Sequence, residues 1–342
     1  MSETRYLVLA EGFSADPHYG KTARGVIRYR RDDVVAVLDS TRAGELEEGL
    51  PIVASVNDAL CFKPTTALVG VATQGGRFPP EWIGILKSCI ANGLDVENGL
   101  HVFLADDPEL ADLAARHRVE LRDLRRPPAD LSTATGANLE VPGMIVLTVG
   151  SDCAIGKMTV SLELDREARS RGLRSIFVPT GQTGIAIAGW GIAVDAVVAD
   201  FIAGAAERLV IEGSERGGEL LWVEGQGAIL HPVYSGVTLG LYHGSAPHLL
   251  VLCHESGTTE IEGAGGGPHP IPPLRELVEL HERLALPVRR AKVVAVALNT
   301  RRLSEDDARA AIAAAEAETG LPADDPVRFG AGRLVDAVVG AA

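Results

Sequence analysis

The chain has 342 residues, 46% of them hydrophobic, which is enough to bury two separate cores. Its formal net charge of -14 at pH 7 argues against a nucleic-acid or anionic-membrane partner and favours a small-molecule ligand. The four cysteines form no CxxC pair, so neither a zinc site nor a disulfide framework is indicated. Because no secretory leader and no apolar run of membrane-spanning length is visible, we expect a cytoplasmic protein.

Residues 1–130 are predicted to form an N-terminal Rossmann-like α/β domain. Strands are expected at 6–10, 34–38 and 67–72, and a helix at 81–91. The strand runs are apolar without alternation, which is typical of parallel strands buried on both faces. Residues 131–143, rich in Ser, Thr, Pro and Gly, are interpreted as a linker. Residues 144–342 are predicted to form a phosphate-loop α/β domain, so that both domains are doubly wound with mainly parallel sheets.

The sequence GSDCAIGKMT at 150–159 has the character of a phosphate-binding loop, because an apolar run at 144–149 precedes it and a helical pattern follows. In such a loop, small residues let backbone N–H groups face an anion, the next helix adds its positive end, and Lys157 supplies a charge. The match to G-x-x-x-x-G-K-[ST] is imperfect, since Ser151 replaces the first glycine and Met158 follows the lysine. The residues predicted to bind phosphate are Gly150, Ser151, Asp152, Cys153, Ala154, Ile155, Gly156, Lys157, Met158 and Thr159.

Four further strands of the C-terminal domain are followed by polar, glycine-rich segments. They are expected at 175–179, 220–224, 249–253 and 293–298, with a helix capped by Ser304 at 305–319. Ligands of open α/β sheets bind at the carboxyl ends of strands, so these segments are predicted to meet at one cleft. The glycines alone have a simpler explanation, because strand-to-helix turns need residues that tolerate positive φ. The residues expected to contribute to cofactor binding are Thr180, Gly181, Gln182, Thr183, Gly184, Gln226 and Asn299.

Acidic side chains and histidines near these strand ends are candidates for catalysis. Glu224 follows a strand directly and could act as a general base or hold Mg²⁺ through water; alternatively it caps a helix. Asp195 and Asp200 are Mg²⁺ candidates if the ligand is a nucleotide, although at a spacing of five they would not share one helix face. His231 and His254 are candidate proton shuttles, and each has the alternative of a structural hydrogen bond.

Two further features have both a chemical and a structural interpretation. Cys153 at a helix N-terminus could be a nucleophile, but a small residue facing the sheet is the preferred interpretation. Residues 262–273, EGAGGGPHPIPP, cannot hold regular structure and are expected to be a flexible connector, with a lid as the alternative.

The loop and the later VEG at 223–225 resemble dethiobiotin synthetase and its ATP-dependent relatives. That resemblance implies ATP and Mg²⁺ as ligands and a ligase or kinase activity. Those enzymes carry a second lysine after the next strand, whereas this chain has Phe177 in its place.

Several longer segments, in the same order along the chain, are similar to the D-glutamate N-acetyltransferase family. They are KTARGVIRY at 21–29, GVATQGG at 70–76, GSDCAIGKMT at 150–159, TGQTGIAIAGWGIAVDAVVADFIAGAAE from Thr180, VEGQGAILHPVYSGVTLGLYHGSAP from Val223 and VLCHE at 251–255. The resemblance implies acetyl transfer from acetyl-CoA to the amino group of D-glutamate or a related amino acid, with the loop holding the CoA diphosphate. Glu224, His231 or His254 would then be the base, and backbone amides at 181–184 or 225–227 would stabilise the oxyanion.

The chain departs from that family after the CHE segment at 253–255. There the family has Pro and then Arg, whereas this chain continues with SGTT, so an arginine that would bind a carboxylate or phosphate is missing from that place. A homo-oligomer is also expected. An ATP-dependent ligase and a non-catalytic nucleotide-sensing module are the alternative functions.

Overall fold

The computed structural model describes residues 4–16, 19–73, 76–263, 265 and 267–341. Residues 74 and 75 of the GVATQGG segment, and residues 264 and 266 of the predicted flexible loop, lie outside that description. The chain divides into two compact units, Met1–Arg126 with Gln182–Ala196, and Pro127–Gly181 with Val197–Ala342. Each unit combines a mainly parallel sheet with helices, so the predicted α/β class is confirmed.

The N-terminal unit is built on a seven-stranded sheet. Its strands are β1 (Tyr6–Leu9), β2 (Val34–Leu38), β3 (Leu46–Glu47), β4 (Leu50–Val53), β5 (Thr66–Val69), β6 (Asp95–Asn98) and β7 (Leu121–Asp123). Their order is β3-β4-β2-β1-β5-β6-β7, and the neighbours are parallel except β3 and β4. The central strand β1 is buried along its whole length, which explains why its sequence lacks the alternation of a half-exposed strand. The prediction for 67–72 was too long, because the strand ends at Val69.

Among the described residues, five α-helices belong to the N-terminal unit, and one of them comes after the linker in the sequence. They are α1 (Lys21–Tyr29), α2 (Val56–Ala59), α3 (Trp82–Ala91), α4 (Pro108–His117) and α6 (Gln182–Ala188). The buried Arg125 binds segment 182–196, because it donates to Gln182 at 2.7 Å and forms an ion pair with Asp195. Ala186 of α6 packs into the core of this unit. Segment 182–196 therefore belongs to the N-terminal unit. No local pattern in the sequence of this segment indicated that assignment.

The C-terminal unit contains a six-stranded parallel sheet. Its strands are β8 (Met144–Gly150), β9 (Ser175–Val178), β10 (Leu220–Val223), β11 (Leu249–Glu255), β12 (Lys292–Asn299) and β13 (Ala323–Asp324). The order is β13-β12-β11-β8-β10-β9, so the strands that follow β8 lie first on one side of it and then on the other. This reversal makes the carboxyl end of β8 the switch point of the sheet, where ligands of such folds bind. The predicted positions of β8 to β12 are confirmed to within two residues.

In the part of this unit that the structure describes, six α-helices accompany the sheet: α5 (Lys157–Ser170), α7 (Ile202–Glu215), α8 (Ser235–Ser245), α9 (Leu274–Arg283), α10 (Glu305–Thr319) and α11 (Gly332–Gly340). Helix α10 has the predicted bounds and cap. Ser304 Oγ accepts from the Asp307 N–H at 3.2 Å and donates to the Asp307 carboxylate at 2.7 Å. Of the described helices, none combines the length and the apolar character that crossing a bilayer requires.

Part of the predicted linker is bound to helix α7. The buried Glu207 carboxylate accepts from the backbone N–H groups of Thr135 at 2.8 Å and Gly136 at 2.7 Å. These hydrogen bonds lower the pKa of Glu207 even though burial alone would raise it. A Cβ atom at Gly204 would lie 1.9 Å from the Ser132 carbonyl oxygen, so only glycine lets this segment approach the helix.

Candidate phosphate-binding site

The loop between β8 and α5 has the geometry of an anion cradle. Ser151 and Asp152 are buried, and α5 begins at Lys157 directly after the loop. Gly156 has φ +112° and Ala154 has φ +55°. The left-handed conformation costs an L-residue such as alanine about 1–2 kcal/mol, and such strain concentrates at functional sites. Alternation of right- and left-handed residues turns successive N–H groups to one side, beside the positive end of a helix.

The ammonium of Lys157 is buried beneath this loop. The side chain is 6% exposed, and Nζ donates to the Asp152 carbonyl at 2.6 Å. Burial lowers the pKa of Lys157, while the sulfurs of Cys153 and Cys253 and the carboxylates of Asp152 and Glu224 raise it. A cation held here at the end of a helix is suited to a phosphate group.

Close packing of β10 against β8 sets the position of the lysine. Gly225 follows β10, and its N–H donates to Thr148 Oγ1 at 2.9 Å. A Cβ atom at Gly225 would lie 1.8 Å from the Thr148 carbonyl oxygen and 2.9 Å from Lys157 Cδ. Glycine is therefore required at this position by the close approach of two backbones.

Glu224, at the end of β10, is 4% exposed and holds the segment after β9. Its carboxylate accepts from the N–H groups of Thr180 at 2.9 Å and Gly181 at 3.1 Å, and from Gln226 Nε2 at 3.1 Å. Four residues predicted for the site are thus brought together, by hydrogen bonds to one carboxylate. The amides of Gly181 and Gly225, considered above for an oxyanion, are already engaged by Glu224 and Thr148.

His231 is 1% exposed, and both of its ring nitrogens contact the backbone. Nδ1 accepts from the Val233 N–H at 3.2 Å, so the proton lies on Nε2, which donates to the Glu262 carbonyl at 3.2 Å. Asp152 binds the N–H of the same Glu262 at 2.8 Å. The Glu262 backbone is thus clamped between the phosphate loop and the segment after β10, and this anchors the amino end of the predicted flexible loop.

Asp152, Cys153 and His231 form a cluster whose ligand atoms lie within 4.8 Å of one another. Nitrogen, sulfur and oxygen donors of this kind could hold a transition metal. However, the shared contact with Glu262 already accounts for the approach of Asp152 to His231. The cluster is consistent with a hydrogen-bonded clamp without an ion.

His254 lies near the end of β11, next to the phosphate loop, and is half-buried. Its Nδ1 forms a hydrogen bond with Ser151 Oγ at 2.9 Å. Burial lowers the pKa of His254, opposed by the negative charges of Glu318 and Glu255, so the ring is neutral at pH 7. When Nδ1–H donates to Ser151, Nε2 carries a lone pair that can accept a proton. Of the two predicted catalytic histidines, His254 is partly exposed, whereas both ring nitrogens of His231 are bound to the backbone.

Two arginines that the sequence analysis missed contact Glu255, the residue that follows this histidine in β11. Arg301 and Arg302 contact the buried carboxylate of Glu255 at 3.3 Å and 3.1 Å, and both are more than half exposed. Asn299, predicted for the site, donates to the same carboxylate at 3.3 Å and to the Ile155 carbonyl of the phosphate loop at 3.2 Å. The arginines follow directly after the polar Asn-Thr at the end of β12, and extending the strand-end argument by two residues would have found them.

The remaining candidates lie elsewhere. Asp195 pairs with Arg125 in the N-terminal unit, and Gln182 and Thr183 also have their hydrogen-bond partners there. Asp200 is exposed shortly before α7. A metal-binding role for Asp195 and Asp200 stays a prediction.

Models of two families of protein domains match the chain. Residues 38–127 match a Rossmann-like domain of unknown function, DUF1611_N, and residues 132–335 match a P-loop domain of unknown function, DUF1611. The chain belongs to the DUF1611 family. The expected Rossmann-like N-terminal domain and phosphate-loop C-terminal domain are therefore confirmed.

Similar DUF1611 proteins include two curated relatives that bear the name D-glutamate N-acetyltransferase. The relative from Tritonibacter scottomollicae is 38% identical over 339 residues, which cover 99% of each chain. The relative from Pseudoalteromonas sp. is 36% identical over 282 residues, 82% of this chain and 83% of its own. The crystal structure of a DUF1611 family protein from Anabaena variabilis is 43% identical, with a TM-score of 0.91 over 98% of this chain and 99% of its own. The resemblance to the D-glutamate N-acetyltransferase family is confirmed, and the names of these relatives support an N-acetyltransferase role.

Gly225→Ala tests the close approach of β10 to β8. The added methyl meets a backbone carbonyl that cannot move by itself, so we expect a loss of at least about 1–3 kcal/mol in the free energy of unfolding, measured by denaturant titration. Gly236→Ala on helix α8 is the matched control, since a Cβ atom there meets nothing within 4 Å, and it should leave stability within about 0.5 kcal/mol of the parent. Equal stability of the two variants would contradict the described packing.

Proposed function

We propose that this protein is an N-acetyltransferase that transfers the acetyl group of acetyl-CoA to the amino group of D-glutamate or a related amino acid. The observation that carries the proposal is the similarity to a D-glutamate N-acetyltransferase across 99% of both chains, which includes the phosphate loop and every strand end described above. The local chemistry supports it, since the site offers a cation for phosphate, a neutral histidine and two exposed arginines.

In this proposal the phosphate loop binds the CoA moiety rather than ATP. Lys157 and the N–H groups at the start of α5 would hold phosphate oxygens, as helix ends and buried cations do in other anion sites. Phe177, where the dethiobiotin synthetase pattern has its second lysine, is buried in the sheet at 3% exposure. That position therefore contributes packing rather than a charge for a phosphorylated intermediate.

Acetyl transfer requires that the substrate ammonium lose a proton before its nitrogen attacks the thioester carbonyl. The new C–N bond forms, the C–S bond breaks, and CoA leaves as the thiol. His254 is the base that the geometry favours, because it is neutral, half-buried and oriented by Ser151. Both nitrogens of His231 are bound to the backbone, and Glu224 already holds three N–H donors.

D-glutamate carries two carboxylates, and Arg301 and Arg302 are suited to bind one of them. Arginine presents paired N–H donors that match a carboxylate. Both side chains are exposed beyond Glu255, which leaves part of each guanidinium accessible to a ligand. These two arginines follow β12. They would supply the positive charge of the arginine that the family has after the CHE segment and that this chain lacks there.

A paired assay tests the reaction. The purified protein is given D-glutamate with acetyl-CoA or with Mg²⁺ and ATP, and free thiol and ADP are measured. We expect thiol release that depends on the amino acid, and Lys157→Ala should raise the KM for acetyl-CoA by at least about 10- to 100-fold because a charged hydrogen bond is lost. Lys292→Ala, at an exposed lysine that begins β12, is the control and should behave like the parent. ADP release without thiol release would refute the proposal.

Variation of pH tests the role of His254. Its pKa is lowered, so the neutral form is present throughout the neutral range, and kcat should fall as the pH drops through that lowered value and the ring gains a proton. His254→Gln should lower kcat by about 10²- to 10⁴-fold and remove this acid limb from the profile. The control is His117→Gln, at an exposed histidine of α4. Retention of the acid limb in His254→Gln would assign the base to another group.

Arg302→Ala tests recognition of the amino acid. We expect the KM for D-glutamate to rise about tenfold with little change in the KM for acetyl-CoA, because the guanidinium that pairs with a substrate carboxylate is removed. Arg309→Ala on α10 is the control, since that exposed arginine pairs with Glu305 and lies over the Phe329 ring, and neither partner belongs to the predicted site. A selective rise in the KM for acetyl-CoA would instead place Arg302 on a phosphate of CoA and contradict this assignment.

A further inference from the structure

His231 is a buried histidine that the proposed mechanism does not use. It lies between β10 and α8, is 1% exposed, and packs its ring against Tyr234 with 4.7 Å between the ring centroids. Its Nδ1 accepts from the Val233 N–H at 3.2 Å, and its Nε2 donates to the Glu262 carbonyl at 3.2 Å. Because both nitrogens are bound and the ring is packed, the imidazole is held in one orientation, with its N–H directed at Glu262.

Glu262, which receives this hydrogen bond, is placed through its backbone. The residue before it is paired with a later part of the same loop, since the Ile261 N–H donates to the His269 carbonyl at 2.8 Å. Ile261 is 8% exposed, whereas Glu262 is exposed. The Glu262 carbonyl accepts from His231, and the Glu262 N–H donates to the Asp152 carboxylate at 2.8 Å. Both polar groups of this one backbone residue are thus engaged.

The Asp152 carboxylate connects Glu262 to the phosphate loop. Asp152 is 2% exposed; its Oδ2 accepts from the Glu262 N–H, and its Oδ1 accepts from the Cys153 N–H at 2.6 Å. The Cys153 N–H belongs to the same peptide unit as the Asp152 carbonyl, and that carbonyl receives Lys157 Nζ at 2.6 Å. Since a peptide unit is planar and rigid, the carboxylate that binds its N–H also fixes the direction of its carbonyl.

Hydrogen bonds therefore run in series from His231 to Lys157. They join His231 Nε2 to the Glu262 carbonyl, the Glu262 N–H to Asp152 Oδ2, the Cys153 N–H to Asp152 Oδ1, and Lys157 Nζ to the Asp152 carbonyl. A loop that binds an anion through backbone N–H groups depends on the orientation of each peptide unit. The series fixes one of these units and the lysine together.

We propose that His231 is a positioning residue of the phosphate site: through the backbone of Glu262 and the carboxylate of Asp152, it holds the peptide unit whose carbonyl receives Lys157. This inference rests on the phosphate site of the proposed function. Loss of the His231 donor would release the Glu262 backbone, and the Asp152 carboxylate would then lose a fixed partner. His231 acts through these residues and does not itself touch the ligand.

Two variants separate the functions of the two ring nitrogens. In His231→Asn, the amide oxygen can replace Nδ1 as acceptor for Val233, but the Glu262 carbonyl loses its donor. In His231→Gln, the longer side chain can place an amide N–H near the position of Nε2. Binding of inorganic diphosphate to the full chain is measured by calorimetry. We expect the Kd to rise about tenfold in His231→Asn and to stay within about threefold of the parent in His231→Gln.

His243→Asn is the matched control. His243 Nε2 donates to the Leu284 carbonyl at 2.9 Å, so this variant loses the same kind of hydrogen bond, but to the residue that follows α9. Its diphosphate affinity should equal that of the parent. The kinetics give a second readout: His231→Asn should raise the KM for acetyl-CoA about tenfold with little change in kcat or in the KM for D-glutamate, since only phosphate binding is weakened.

A double-variant cycle with Asp152→Asn tests the connection itself. An Asn side chain has one acceptor oxygen in place of two, so either Glu262 or Cys153 loses its acceptor and the series is broken. Asp152→Asn alone should therefore also raise the Kd for diphosphate about tenfold. In that background, His231→Asn should change the Kd by less than about twofold, because the two residues act on the same path.

Three results would overturn the inference: parent-like diphosphate affinity of His231→Asn, equal affinity of the Asn and Gln variants, or a full additional loss in the double variant. Failure of the parent to bind diphosphate would remove the phosphate site and this inference with it. The expected order of affinities without any acetyl transfer would instead count against the proposed function alone.

Discussion

The buried ammonium of Lys157 is the constraint around which the C-terminal unit is organised. Removal of a charge from water costs several kcal/mol unless the charge is paired and hydrogen-bonded. Here the compensation comes from the Asp152 carbonyl, which accepts from Nζ at 2.6 Å, and from the negative charges of Asp152 in the loop and Glu224 directly after β10. The loop that follows β8 and the residue that follows β10 therefore both contribute a group toward the same cation. Their parallel arrangement makes this possible, because the carboxyl ends of β8, β10 and β11 lie at one edge of the sheet.

The carboxylates of Glu224 and Asp152 accept hydrogen bonds from N–H donors, and these bonds limit their availability to a metal ion. Glu224 binds two backbone amides and Gln226, while Asp152 binds the amide of Glu262. A metal at either carboxylate would compete with these bonds for the same oxygens. The hydrogen bonds instead fix the loops that follow β9 and β11 around Lys157. Preorganisation of this kind lowers the cost of binding.

The parts of this architecture that depend on local patterns could be predicted from the sequence. Continuous apolar runs marked the buried parallel strands, and small residues followed by Lys157 marked the phosphate loop. The parts that depend on distant contacts could not. Nothing near 182–196 indicates the ion pair with Arg125 that holds this segment in the N-terminal unit.

The two histidines proposed for catalysis show why residue type and strand position are insufficient to assign a base. His231 and His254 both follow or end a strand, but the backbone takes both nitrogens of His231, whereas His254 keeps one beyond its bond to Ser151. A base must have an unshared lone pair within reach of the substrate, and that property is decided by hydrogen-bond partners.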